Sequence, residues 1–137
     1  SEVYNRDVSR YERGVKLDRK HKIITIQDEF ISRQKSSVWW SMHTQAEIRI
    51  SEDGKTAILI QNTKQLKVKL KGAGDARFCV MPATYLPGVE LPLTRNSENS
   101  GFRKLCIHLE NADKAAFKVE MMPVQEKGKS LKRLLKW

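Results

Sequence analysis

Apolar and polar residues take strict turns along Leu66-Lys67-Val68-Lys69-Leu70-Lys71, and the same two-residue period returns in 105–109 and 117–121. In an extended chain successive side chains point to opposite faces, so this period builds a sheet with one apolar and one polar side; a helix would scatter the same residues around its axis. Short runs of this kind, separated by turn residues, occupy 11–17, 22–30, 37–44, 47–51, 56–61, 65–71, 76–81, 103–109 and 115–122. About nine short strands in a chain of one-domain length predict an all-β, antiparallel β-sandwich over residues 1–137.

The connections support that expectation. Ser51-Glu52-Asp53-Gly54-Lys55 holds Asp-Gly, the dipeptide best suited to the positive φ angles of a tight hairpin, while Gln61-Asn62-Thr63-Lys64 and Lys71-Gly72-Ala73-Gly74-Asp75 are further short connections. The expected core comprises Leu66, Val68, Leu70, Leu105, Ile107, Leu109, Phe117, Val119 and Met121, joined by Ile24, Ile26, Val38, Trp40 and Met42. Residues 82–102 hold three of the four prolines and predict a long surface loop. In the basic tail, residues 125–137, Leu131, Leu134 and Leu135 with Lys132, Arg133 and Lys136 suit a short amphipathic helix, a final edge strand or a disordered end.

Twenty-six Lys and Arg against sixteen Asp and Glu give a formal charge of +10, which favours acidic partners. Lysine excess also keeps sheet edges soluble and unpaired, so charge by itself does not select a ligand. No apolar stretch approaches the roughly 20 residues of a membrane helix, and Ser1-Glu2-Val3-Tyr4-Asn5-Arg6 lacks a signal-peptide layout and an initiator Met. A mature or excised fragment, with no membrane partner, fits these facts. Cys79 and Cys106 each sit in a strand pattern outside any C-x-x-C motif; buried thiols are the default, and a disulfide requires adjoining strands and an oxidising compartment.

Catalytic chemistry is hard to assemble. His21, His43 and His108 are far apart and fit no metal-ligand spacing, and neither a Gly-rich phosphate loop nor a G-x-S-x-G elbow occurs. No catalytic residue, metal or cofactor is therefore assigned. The most unusual stretch is Val38-Trp39-Trp40-Ser41-Met42-His43-Thr44, where alternation puts Trp39 and His43 together on the face opposite Trp40. An indole beside an imidazole can stack on a sugar ring and hydrogen-bond its hydroxyls, although in a sandwich that face can equally be covered by a neighbour. Lys67, Lys69 and Lys71 form a line with about 7 Å between successive members, a spacing that suits an anionic chain as well as plain solubility. That strand has no rings interleaved with its lysines, so nucleic acid is not an expected partner.

The order Arg13-Gly14-Val15, then Ile23-Ile24-Thr25-Ile26-Gln27-Asp28-Glu29-Phe30, then Trp40-Ser41-Met42-His43-Thr44, resembles the later part of the C-terminal sheet domain of heparinase II/III-like polysaccharide lyases. Ala46-Glu47-Ile48-Arg49-Ile50, the Asp-Gly turn and Ala57-Ile58-Leu59 continue the order, and the resemblance spans 11–123, roughly four-fifths of the chain. It implies a bacterial, periplasmic or secreted parent enzyme that cleaves uronate-containing acidic polysaccharide by β-elimination. In that family the catalytic tyrosine, histidine and asparagine lie largely on an N-terminal helical toroid, and some members bind a metal in the upstream half of the sheet domain. Neither set maps onto His21, His43 or His108. The resemblance thus implies a non-catalytic scaffold that supports the toroid of the same parent chain and lines one wall of its cleft.

Three function classes follow. A scaffold predicts no turnover and an apolar or mixed surface left exposed where the rest of the protein docks. An independent carbohydrate-binding module predicts salt-sensitive affinity for uronate-rich chains, weakened by Trp39→Ala. A basic interaction domain predicts binding that tracks charge and ignores sugar identity.

Overall fold

The computed structural model describes residues 8–83 and 101–125, all of whose regular elements are strands. In chain order they are β1 (Val8–Asp18), β2 (Ile23–Thr44), β3 (Glu47–Ile50), β4 (Thr56–Gln61), β5 (Lys64–Lys71), β6 (Phe78–Pro82) and β7 (Arg103–Pro123). Every pairing is antiparallel, and the sheet runs β1-β2-β7-β5-β4-β3, with β6 also paired to β7. The all-β antiparallel class is the one the alternation predicts.

Nine expected strands become seven because two pairs fuse. Residues 22–30 and 37–44 belong to the single strand β2, and 103–109 and 115–122 to β7. Where the sequence pattern lapses, the ladder steps from Ile31↔Lys114 to Ser36↔Ala112 and then to Val38↔Leu109. These steps are bulges, which accommodate extra residues within a strand and bend it without ending it. Asn111, at φ 49°, takes the left-handed conformation at the second step.

The bend lets the long pair serve two neighbourhoods. The C-terminal half of β7 lies between the first half of β2 and β5, while its N-terminal half lies between the second half of β2 and β6. Apolar faces from both halves meet in one core, where Trp40, Phe78, Leu105 and Ile107 join Ala57, Leu59, Val68, Leu70, Phe117, Val119 and Met121. The sheet is folded on itself in a sandwich-like way. Ala46, Ala57, Leu59 and Phe78 extend the core beyond the expected set, Ile26, Met42, Leu66 and Leu109 pack at its margin, and Val38 is half-buried. Ile24 is a correction: it is 41 % exposed, because its neighbour across the ladder is Leu17 of edge strand β1, which is itself uncovered.

The Asp-Gly hairpin forms as expected and ties the two halves together. Gly54 has φ 69°, its N–H donates to Ser51 O at 2.9 Å, and a Cβ there would lie 2.6 Å from that of Arg77. Its carbonyl accepts from Phe78 N–H of β6 at 2.8 Å, while the Lys55 carbonyl accepts from Leu70 N–H of β5 at 2.8 Å. Lys55 Nζ donates to Gly74 O at 2.5 Å and to Ala76 O, fastening the glycine-rich connection.

Between β4 and β5, Gln61 pairs with Lys64 around Asn62 and Thr63, whose φ angles are 51° and 65°. Two positive φ angles in a two-residue loop define a type I′ turn, in which a β-branched residue is strained. Thr63→Gly is therefore expected to stabilise the protein by about 0.5–1 kcal/mol, the relieved strain being partly offset by the greater freedom of glycine in the unfolded chain. A raised urea midpoint at unchanged slope would register the gain. The expected loop at 82–102 and tail at 125–137 lie almost wholly outside the described residues.

Candidate functional site

The folded sheet turns its polar face outward, and the residues singled out from the sequence occupy two separate parts of it. On the second half of β2, Trp39, Ser41 and His43 stand opposite His108, Cys106 and Lys104 of β7. Trp39 and His43 do share one face, as alternation requires, and it is partly covered there, since Cys106 and Lys104 opposite Ser41 and His43 are only 0 and 6 % exposed. The indole is already occupied on one side: the His108 ring stacks on it with centroids 3.9 Å apart and planes 5° from parallel. His108 is held in turn by Ser37, whose Oγ lies 2.5 Å from its Nε2, and by Glu110, whose Oε1 lies 3.5 Å from its Nδ1. Both ring nitrogens of His108 thus have a polar partner. Trp39 is half-buried and His43 exposed, so part of the indole remains accessible.

The basic row lies elsewhere. Lys67, Lys69 and Lys71 stand opposite Met122, Glu120 and Lys118 of β7. Lys71 Nζ makes an ion pair with Glu120 Oε2 at 2.8 Å, and Lys67 is flanked by Ile58 across the other ladder. Because Lys71 is matched to Lys118 and Trp39 to His108, the two groups are ten residues apart along β7, roughly 30 Å of extended strand. They do not form one sugar-sized subsite.

A shallow groove of about 720 Å³ extends the basic row across β7, β2 and β1, with Lys118, Gln27, Glu29, Thr25, Lys16 and Glu12 among its lining residues. Its carboxylates have partners: Glu12 accepts from Arg10 at 2.8 Å, Glu29 from Gln27 at 2.8 Å, and Glu120 from Lys71. Two of those charges are offset, Glu12 by Arg10 and Glu120 by Lys71, while Glu29 keeps its charge beside the neutral Gln27 amide; Lys16, Lys118 and Lys69 outnumber it and leave the ledge a modest net positive character. Gly14 leaves space in the floor, since a Cβ there would meet nothing within 4 Å.

On the opposite, core-side face lies a group that the alternation pattern did not disclose. Asp28 is only 3 % exposed, and its carboxylate accepts from Arg13 Nε at 2.6 Å, Arg13 Nη2 at 2.8 Å and the Tyr11 hydroxyl at 3.2 Å. The hydrogen bond to Asp28 raises the Arg13 pKa above its ordinary value. The signal was a lone acid in the row Ile24, Ile26, Asp28, Phe30, which demands a cation on the adjoining strand. Around this clamp Tyr11, Val15, Leu17 and Ile24 are exposed to 55, 68, 57 and 41 %, forming an apolar margin of the core face along β1.

The histidines serve separate local structures. His21 sits in the β1–β2 turn, where its N–H and Nδ1 contact the Asp18 carboxylate at 3.0 and 2.8 Å, holding that carboxyl below its usual range. Among the described residues no group of three His, Cys, Asp or Glu side chains converges on a metal-sized site, and no helix is long and apolar enough to cross a membrane. Comparison with protein-family models gives no match, and comparison with curated proteins gives no significant one.

Proposed function

We propose that this chain is a non-catalytic scaffold, the later part of the C-terminal sheet domain of a bacterial, exported heparinase II/III-like polysaccharide lyase. The observation that carries this reading is the apolar margin at Tyr11, Val15, Leu17 and Ile24, a core face continued one strand beyond what covers it. Contiguous apolar surface rimmed by polar groups marks a place where another body docks. The helical toroid of the same parent chain is the body that the resemblance supplies.

In such a protein the proton beside the uronate carboxylate is removed by groups on the toroid, which also neutralise the carboxylate so that the carbon acid becomes acidic enough to react. This chain would contribute position and field. Its ledge, where Lys16, Lys118 and Lys69 outnumber the one carboxylate without a cationic partner, would raise the local concentration of an acidic polymer along one wall of the cleft. The purified chain, incubated with a panel of uronate polymers, is expected to generate no unsaturated ends above blank; steady depolymerisation would refute the scaffold assignment.

The ledge also favours an independent carbohydrate-binding module for anionic polysaccharide. The two readings part in a titration with heparin-like chains at rising salt: a module binds the isolated chain measurably and loses affinity on Lys69→Glu and on Trp39→Ala. A scaffold wall binds weakly in isolation and ignores Trp39.

A further inference from the structure

Cys79 of β6 and Cys106 of β7 are directly opposed in an antiparallel ladder, between the pairs Phe78↔Ile107 and Val80↔Leu105. Opposed residues project to the same face with α-carbons about 4.5–5.5 Å apart, within the span of a disulfide. The type of pair can be read from its neighbour. Phe78 N–H donates to Gly54 O, away from β7, and the N–H and C=O of a strand residue point the same way. Cys79 therefore turns its main chain toward Cys106, giving the wider pairing of about 5.5 Å, close to the commonest α-carbon separation in disulfides. Cys79 Sγ lies 3.6 Å from the Cys106 carbonyl oxygen, and both cysteines are free thiols. The chain has no other cysteine.

We propose that Cys79 and Cys106 are a redox modification site, closing to a reversible cross-strand disulfide that staples β6 to β7 when the surroundings supply a small-molecule disulfide as oxidant. Cys79 is half-buried and Cys106 fully buried, so Cys79 reacts first. Its thiolate attacks one sulfur of oxidised glutathione, one glutathione leaves as thiolate, and a mixed disulfide forms. Cys106 then gives up its proton and its sulfur attacks Cys79 Sγ; the bond to glutathione breaks and the second glutathione departs. The two protein thiols lose two electrons and two protons, and the oxidant is reduced to two thiols.

Burial raises the Cys79 thiol above its usual pKa, while burial and the neighbouring Cys79 push Cys106 up to about 11. Thiolate is the attacking species, so closure is slow at neutral pH and quickens about tenfold per pH unit below those values. The staple would act on a strand outside the main path of the sheet, whose ladder is with β7.

The test is alkylation-quenched intact mass after equilibration in glutathione buffers of increasing oxidised fraction, with melting followed in parallel. The wild type is expected to lose about 2 Da, retain no glutathione, stay monomeric on non-reducing gels and melt about 5 °C or more higher. Cys106→Ser should trap one glutathione on Cys79, and Cys79→Ser should take up none. Two alkylatable thiols throughout, a persistent glutathione adduct on the wild type, or a disulfide only between chains would each overturn the proposal. The mass readout stands even if a serine variant folds poorly, because the decisive species is the unmutated protein.

Discussion

Replacing Trp40 by alanine is expected to lower the unfolding free energy by about 3–5 kcal/mol. Trp40 is 6 % exposed and opposes Ile107, which in turn opposes Phe78, so it lies in the row where the second half of the β2–β7 pair meets the apolar face of β4 and β5. Removing the indole takes away both its burial and the packing that holds the folded sheet closed; the vacated space cannot collapse without moving two strands. Urea unfolding followed by far-UV circular dichroism measures the loss without relying on tryptophan fluorescence. Val38→Ala, two residues away but outside the core cluster, serves as the control and should cost less than about 1 kcal/mol. Equal effects of the two substitutions would mean that the halves of the sheet are not packed on one another.

Arg13→Ala is expected to cost about 2–3 kcal/mol. The substitution leaves the Asp28 carboxylate, 3 % exposed, with the Tyr11 hydroxyl at 3.2 Å in place of a bidentate guanidinium. Breaking a fully buried ion pair from one side costs more than this. The Arg13 side chain is 45 % exposed, however, so water takes up part of the interaction and the loss falls below the full range. The sign of the double mutant discriminates. If the damage comes from the stranded charge, Arg13→Ala with Asp28→Leu should be more stable than Arg13→Ala alone, whereas independent contributions would add. Arg13→Lys should recover only part of the loss, since an ammonium cannot satisfy both carboxylate oxygens in the plane.

The parts legible in the sequence were those written locally. Alternation in 65–71, 105–109 and 117–121 identified strands and their inward residues, because a strand's faces are set by its own period; Asp53-Gly54 identified a hairpin, because φ preference is a property of two residues. What remained hidden depended on register. Residues 31–36 and 110–114 looked like breaks because a bulge and a loop share the same loss of alternation, and only the pairing of Ser36 with Ala112 distinguishes them. Ala46 and Ala57 escaped notice as core because their small side chains are buried by their surroundings and carry little hydrophobic signal of their own.

The candidate site divides along the same line. That Trp39 and His43 share a face follows from spacing, as does the line of Lys67, Lys69 and Lys71. The stacking of His108 on Trp39 does not follow, since two positions so distant in the chain are matched only by the β2–β7 ladder. The separation of the aromatic and basic groups along β7, and the opposition of Cys79 to Cys106, are likewise facts of register.

The central ladder joins residues 24–44 to 103–121, so the two longest strands of the protein are also among those most distant in sequence. Closing so long an intervening segment carries an entropic cost before its contacts form, which places this chain among slow folders. During synthesis β2 emerges well before β7 and must wait with one hydrogen-bonding edge open, while the β3–β4–β5 meander can form from neighbouring residues. The ribosome-bound chain thus has an interval in which β2 is vulnerable to pairing with the wrong strand, and it ends when the last strand of the described sheet is released.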